Sequence, residues 1–321
     1  MKNLFLILFL LGAALPKIYA QDDLMKMLED EAKKEKKKDY ATATFKTSRL
    51  INGHSIENAA AGVLDFKISH RFGMVNKGGY ELFGLDQATM RMGFDYGISN
   101  RLMVGVGRST FQKQYDAFGK FKILRQSKGG RWSSPISISA VSTVMLKTLK
   151  WEDPTRKNFY TSRLSFAHQL IIARKFSEGV SFQLMPSFVH YNIAQTVLDP
   201  NDIFALGVGG RIKLSKRLSF NAEYYHVLPI SLVPGEGYMI PGTKNSLAVG
   251  FDIETGGHVF QVHFTNSTGM TEKTFITETT GDFFKGDIHF GFNVSRVFTI
   301  KNKKTKKSKT GSDSFNIIRT Q

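Results

Sequence analysis

Between Ser246 and Thr265 the chain keeps two unlike faces through two arms and a tight turn, and few folds accept that pattern. Leu247, Val249, Phe251 and Ile253 alternate with Ala248, Gly250, Asp252 and Glu254. Past Thr255-Gly256-Gly257, the residues Phe260, Val262 and Phe264 alternate with Val259, Gln261 and His263. A period of two marks strands whose successive side chains face opposite ways, and the paired glycines suit a short reversal. The apolar face fits either a soluble core or a lipid boundary. The face of Gly, Asp, Glu, Gln and His also fits a water-filled lumen, so one hairpin leaves a sandwich and a membrane barrel open.

The rest of the chain repeats the rule. Leu64, Phe66, Ile68, His70 and Phe72 alternate with Val63, Asp65, Lys67, Ser69 and Arg71, and Met90 to Ile98 alternates with Thr89 to Gly97. The same arithmetic continues to Ile288, Phe290, Phe292, Val294 and Phe298, giving about twelve strands, an even number as expected of a single-chain outer-membrane barrel. Short connections at 99–100, 127–130, 177–179, 215–216 and 255–257 alternate with longer ones at 73–88, 109–117, 147–161, 191–202, 227–245 and 266–285. A soluble sandwich has no reason to sort its connections this way. The pattern predicts an all-β, antiparallel, transmembrane up-and-down β-barrel with short periplasmic turns, longer extracellular loops and both termini in the periplasm.

Residues 1–20 read as a cleaved signal peptide: Lys2, an apolar run from Leu4 to Leu15, and a small residue, Ala20, before the expected cut. Residues 21–61 form a charged periplasmic arm with a possible lumen segment, 62–298 the barrel, and 299–321 a basic periplasmic tail. The chain has no cysteine, which removes disulfides and thiolate metal sites. Its 27 Phe, 10 Tyr and 29 Gly suit strands, turns and an aromatic girdle. The expected location is the outer membrane of a Gram-negative cell, with outer-membrane lipids and the outer-membrane assembly machinery as partners. Phe298 resembles the terminal aromatic by which such proteins are recognised for insertion. The formal net charge of +17 owes much to lysines of the tail, whose bland reading is a solvated segment and whose sharper one is an acidic periplasmic partner or anionic lipid. Nucleic acid is not expected for an exported barrel.

Alternation assigns Asp65, Lys67, Arg71, Arg91, Asp95, Arg163, Arg211, Lys213, Glu223, Asp252, Glu254, His263, Asp287 and His289 to the lumen. Both signs are present, which argues against a strongly ion-selective filter. Arg71 is expected to pair with Asp287 across the closure. His263 and His289 lack an evident third ligand, so hydrogen bonding is favoured over metal. The apolar loop 227–245 is expected either to constrict the mouth or to contact another protein. No His-x-Ser occurs, and the alternation itself explains Asp252 and Glu254 on one face, so no enzyme and no cofactor is expected. The favoured function is a narrow channel for small polar solutes. A closed structural or partner-binding barrel is the alternative, and an outer-membrane enzyme a distant third.

Four motifs together carry a family resemblance: His70-Arg71-Phe72-Gly73; Leu82-Phe83-Gly84-Leu85-Asp86; Gly107-Arg108-Ser109 with Lys113 and Tyr115-Asp116; and Glu254-Thr255-Gly256-Gly257-His258-Val259-Phe260-Gln261. The chain resembles the membrane-bound β-barrel family of unknown function found in Bacteroidota, over roughly Thr47 to Phe298. The resemblance implies an outer-membrane barrel and brings no activity, ligand or catalytic residue. The charged arm and the lysine tail lie outside it.

Overall fold

A computed structural model describes Met25 and residues 38–301, except 131, 152, 156, 195, 197, 198, 234 and 236. The signal peptide, nearly all of the charged arm before Lys38, and the tail from residue 302 lie outside the described residues.

Twelve antiparallel strands close into one barrel. They are β1 (Val63–Met74), β2 (Ala88–Gly97), β3 (Leu102–Ser109), β4 (Gln114–Leu124), β5 (Ser137–Lys147) and β6 (Leu164–Lys175). The others are β7 (Val180–Tyr191), β8 (Asp202–Lys213), β9 (Leu218–Val227), β10 (Ser246–Thr255), β11 (His258–Thr265) and β12 (His289–Thr299). Each strand pairs with its neighbours in sequence, and β12 returns to β1 through pairs such as Gly291 with Arg71 and Phe298 with Leu64. Closure removes the free edges that an open sheet would expose.

The alternation read from the sequence sets the two faces. On β10, Ser246, Ala248, Gly250 and Asp252 are buried inside, whereas Phe251 and Ile253 are exposed outside. Outward Phe66, Phe94, Phe220 and Phe251 meet in cross-strand pairs, Phe66 tilted against Phe94 and Phe220 edge-on to Phe251. Such a belt meets hydrocarbon, and no unpaired strand edge interrupts it.

Connection lengths follow the expected alternation with two exceptions. At the end where the chain enters β1 and leaves β12, residues 98–101, 176–179, 214–217 and 256–257 are tight, but 125–136 form a longer excursion. There Ser127–Lys128 pairs with Asp39–Tyr40 in a separate two-stranded ribbon, which draws the incoming chain to the barrel base. At the far end the link from β3 to β4 is only 110–113, because β4 begins at Gln114 rather than beyond Ala117. Gln114 and Asp116 both point inward, and Asp116 meets Arg91 of β2, which extends the strand to that height.

Two further elements enter the lumen. Residues 44–56 form a hairpin whose arms meet at the Arg49–His54 bridge, closed by the Leu50 amide donating to the Gly53 carbonyl at 2.8 Å. From the far end, the 266–288 connection turns inward and carries a short helix, α1 (Glu272–Thr277), all of whose residues are buried. The inward loop is therefore this threonine-rich connection. The apolar 227–245 loop remains largely outside, with Ile230, Leu232, Val233 and Tyr238 exposed, while Met239 and Ile240 pack against the interior.

Candidate functional site

The candidate site is the lumen, and its wall has two chemically distinct arcs. On β5 to β9 the inward residues include Val141, Met145, Ile171, Met185, Val189, Ile203 and Tyr225, which pack with Phe45, Leu50 and Ile56 of the hairpin and Phe275 and Ile276 of α1. Leu50, Ile56, Phe275 and Ile276 are at most 1% exposed, so this half is a hydrophobic core rather than a wetted wall. Inward glycines make room for it. A Cβ on Gly53 would overlap the Tyr225 hydroxyl, so the hairpin tip approaches β9 only as glycine.

The other arc, on β11, β12 and β1 to β4, is polar and makes its ionic contacts inside the lumen, although Arg71 Nε and one Asp95 oxygen are buried without a hydrogen bond. Lys67 Nζ lies 2.5 Å from Asp65 and 3.0 Å from Asp95, and also reaches the Ser48 hydroxyl. Arg91 holds Asp116 with two bonds, Nε at 2.9 Å and Nη2 at 2.5 Å. Such a bidentate fork fixes both side chains and compensates their burial.

Much of the remaining polarity is directed at the hairpin backbone. Glu223 accepts the amides of Asn52 at 2.7 Å and of Ile51 and Gly53 at 3.2 Å. Gln261 donates to the Leu50 carbonyl, Asn293 to the Ile51 carbonyl and Gln183 to the His54 carbonyl. Lys120 donates to the carbonyls of Ser55, Ser48 and Glu57, and Arg211 to those of Ala43 and Thr44. A tight turn has few partners of its own for its amides and carbonyls, so these wall groups supply what its burial requires.

The hairpin and α1 meet at the centre. Arg49 Nη1 lies 2.6 Å from Glu272 Oε1, and His54 Nε2 is 3.4 Å from the same oxygen, too poorly directed for a hydrogen bond. His54 also sets its ring against Phe118, with centroids 4.5 Å apart. Helix α1 is tied to the wall by Thr271, which donates to Gln114 at 2.6 Å, and by Thr277, which bonds the Tyr191 hydroxyl.

The lumen assignments divide accordingly. Asp65, Lys67, Arg71, Arg91, Asp95, Arg211, Glu223, Asp252, His263 and His289 are buried inside the barrel. Glu254 and Lys213 stand at the terminal-end rim, where Glu254 pairs with Lys46 rather than with His258 across its turn. Arg163 belongs to the 148–163 connection, where its guanidinium lies over the Trp151 ring at 3.4 Å; it is not on a wall strand. Asp287 is also a loop residue, and the expected pair with Arg71 does not form. Strand β12 begins only at His289, so Asp287 sits above the closure and accepts from Asn76 at 2.8 Å and the Asp282 amide at 3.0 Å. The Asp282 amide, with the Asn76 side chain, holds the Asp287 carboxyl below its ordinary range. Arg71 turns inward instead, to Asn52 at 2.7 Å and Asn293 at 3.1 Å.

His289 bonds Thr268 at 3.1 Å and the Phe72 carbonyl at 2.8 Å, whereas both ring nitrogens of His263 are buried without a hydrogen bond. Among the described residues no group of three His, Asp or Glu side chains is arranged to hold a metal. One serine–histidine juxtaposition arises between strands rather than along one. Ser142 of β5 is the cross-strand partner of His168 of β6, on the outer face.

No curated protein matches the chain. Among solved structures it is similar to a NanC porin, at 8% identity with a TM-score of 0.45, covering 74% of this chain and 100% of that one. A KdgM porin shows 9% identity, a TM-score of 0.42, and coverage of 74% and 99%. The Acinetobacter baumannii outer membrane protein Omp33 shows 9% identity, a TM-score of 0.39, and coverage of 73% and 97%. A family model described as "Membrane bound beta barrel domain (DUF5777)" matches residues 45–298, from the second residue of the lumen hairpin to the penultimate residue of β12. The matched region thus takes in the filler as well as the wall, and the chain belongs to this membrane-bound β-barrel family.

Proposed function

We propose that the chain works in the outer membrane as a closed barrel, structural or partner-binding, with its lumen shut at rest and both termini in the periplasm. The observation that carries this reading is the filled interior: the hairpin 44–56 and helix α1 meet across it through Arg49 and Glu272, over a core with Leu50, Phe275 and Ile276 at most 1% exposed. A narrow channel lined by mobile water would not bury aliphatic and aromatic side chains at its centre. The role is binding or structural rather than enzymatic. The lysines of the tail offer an acidic periplasmic partner an electrostatic handle.

A gated passage for small polar solutes is the second reading, favoured by the way the hairpin is held. Both of its ends leave at the terminal end of the barrel, by the 39–40 ribbon and by Gly62, so it can withdraw as a unit without threading. Single-channel recording of the folded, lipid-reconstituted protein separates the two. Silence in the full chain is expected, and steady open steps would overturn the closed reading. Steps absent at low voltage that appear only above a threshold voltage and vary with solute size would support the gate.

A further inference from the structure

The lumen hairpin buries an imidazole to which it gives no hydrogen bond. His54 is 0% exposed, its ring lies edge-on to Phe118, and both ring nitrogens are unpaired. Charge faces it from each element packed around it: Arg49 from the hairpin itself, Glu272 from α1, Lys67 and Asp65 from β1, Arg91 and Asp95 from β2, and Lys120 and Asp116 from β4. Glu272 holds Arg49, Asp65 and Asp95 hold Lys67, and Asp116 holds Arg91, whereas Lys120 gives its donors to hairpin carbonyls. With His54 neutral, four cations balance four carboxylates. A proton on the ring adds one uncompensated charge to a buried cluster. The nearest carboxylate oxygen, Glu272 Oε1 at 3.4 Å, already accepts from Arg49 at 2.6 Å. Burial first, and then Arg49, Lys120, Arg91 and Lys67, hold the His54 imidazole well below its ordinary range.

We propose that His54 is an acid trigger: acidification on the side to which both ends of the hairpin lead loosens the hairpin from the lumen. Docked, the ring is kept neutral; withdrawn, it meets water and takes a proton below about pH 6.5. The contribution of neutral His54 to docking is therefore complete above that pH and is lost as pH falls below it. The ratio of withdrawn to docked hairpin then gains up to about tenfold per pH unit. His263, the other unpaired imidazole of the lumen, stands on β11 and stays with the wall, so a change at His54 leaves it in place. The inference rests on the hairpin leaving as a unit, the premise of the gated reading, and holds whether or not the emptied lumen conducts.

The chain has no cysteine, so one introduced thiol reports one site. Ser55→Cys puts it beside His54 on a residue that is 0% exposed, and Ser215→Cys, on an exposed turn at the same end to which the hairpin leads, is the reference. The full chain is held in lipid nanodiscs, which leave both faces open to a maleimide. Dividing the Ser55→Cys labelling rate by that of Ser215→Cys cancels the titration of the thiol itself. From pH 7 to pH 5 this ratio is expected to rise about 25-fold more with His54 present than in His54→Phe, whose ring keeps the contact with Phe118. His54→Gln, which also cannot titrate in this range, is expected to match His54→Phe, and heat-dependent migration on gels checks that each barrel is folded. A ratio that does not rise with His54 present, or that rises equally without it, would overturn the trigger and leave withdrawal standing. A Ser55→Cys thiol that stays unreactive at every pH would overturn withdrawal itself and the trigger with it.

Discussion

Arg49 of the lumen hairpin and Glu272 of helix α1 form a buried ion pair, Nη1 to Oε1 at 2.6 Å, across a sequence separation of 223 residues. Their side chains are 8% and 1% exposed, so the pair joins two inserted segments that enter from opposite ends of the barrel. Removing the cation alone leaves a buried carboxylate. Arg49→Met is expected to lower stability by about 3–5 kcal/mol, and a second change, Glu272→Gln, to restore most of it. Urea unfolding in lipid vesicles reads both, and a loss below about 1 kcal/mol for the single variant would show that the two insertions are held apart from this contact.

Arg71 and Asp287 are expected to behave independently. Arg71→Ala strips a charged donor from Asn52 and Asn293 and is expected to cost about 2–3 kcal/mol. Asp287→Ala touches only the loop and is expected to change stability by less than about 1 kcal/mol. Equal losses, with coupling in the double variant, would mean that the two side chains meet in solution.

Gly53 and Tyr225 form a steric pair. Gly53→Ala drives a methyl into the Tyr225 hydroxyl and is expected to destabilise the barrel by about 1–3 kcal/mol. The same substitution in a Tyr225→Leu background is expected to cost clearly less. A full double-mutant cycle in denaturant decides, and strict additivity would place the hairpin tip elsewhere.

Lys67 sets its ammonium between Asp65 and Asp95 and also contacts Ser48. Lys67→Met leaves two carboxylates facing one lumen and is expected to cost about 3–5 kcal/mol. Lys67→Met combined with Asp95→Asn is expected to recover part of that loss. Thermal unfolding of the two variants side by side measures the difference.

The strands were legible because a barrel wall imposes a period of two on the sequence, and Asp65, Lys67, Arg91, Asp95 and Glu223 fall inside by that parity alone. Parity does not say where a strand stops. Arg163 and Asp287 were therefore assigned to a wall that ends before reaching them. The filling of the lumen was less legible. Thr271 to Thr280 reads as a polar surface loop, and its inward course depends on partners far away in the chain, such as Gln114 and Tyr191. The Asn52-Gly53 turn flanked by Leu50, Ile51 and Ile56 did carry a signal, since an apolar hairpin before the first strand has few places to be buried. Ser142 and His168 were missed because their proximity is a matter of register between strands, which spacing within one strand does not reveal.

The seam between β12 and β1 is the one pairing in the barrel that joins strands remote in sequence, and forming it carries the largest loop-closure entropy. The hairpin tip lies across that seam. Asn293 of β12 holds the Ile51 carbonyl, Arg71 of β1 holds the Asn52 side chain, and Arg71 and Asn293 hold each other. Because the hairpin immediately precedes β1, it can ride with that strand and present a ready docking surface to the last one. The filler is then a template for closure as well as an obstruction, and a chain lacking it would face its slowest folding step without a guide.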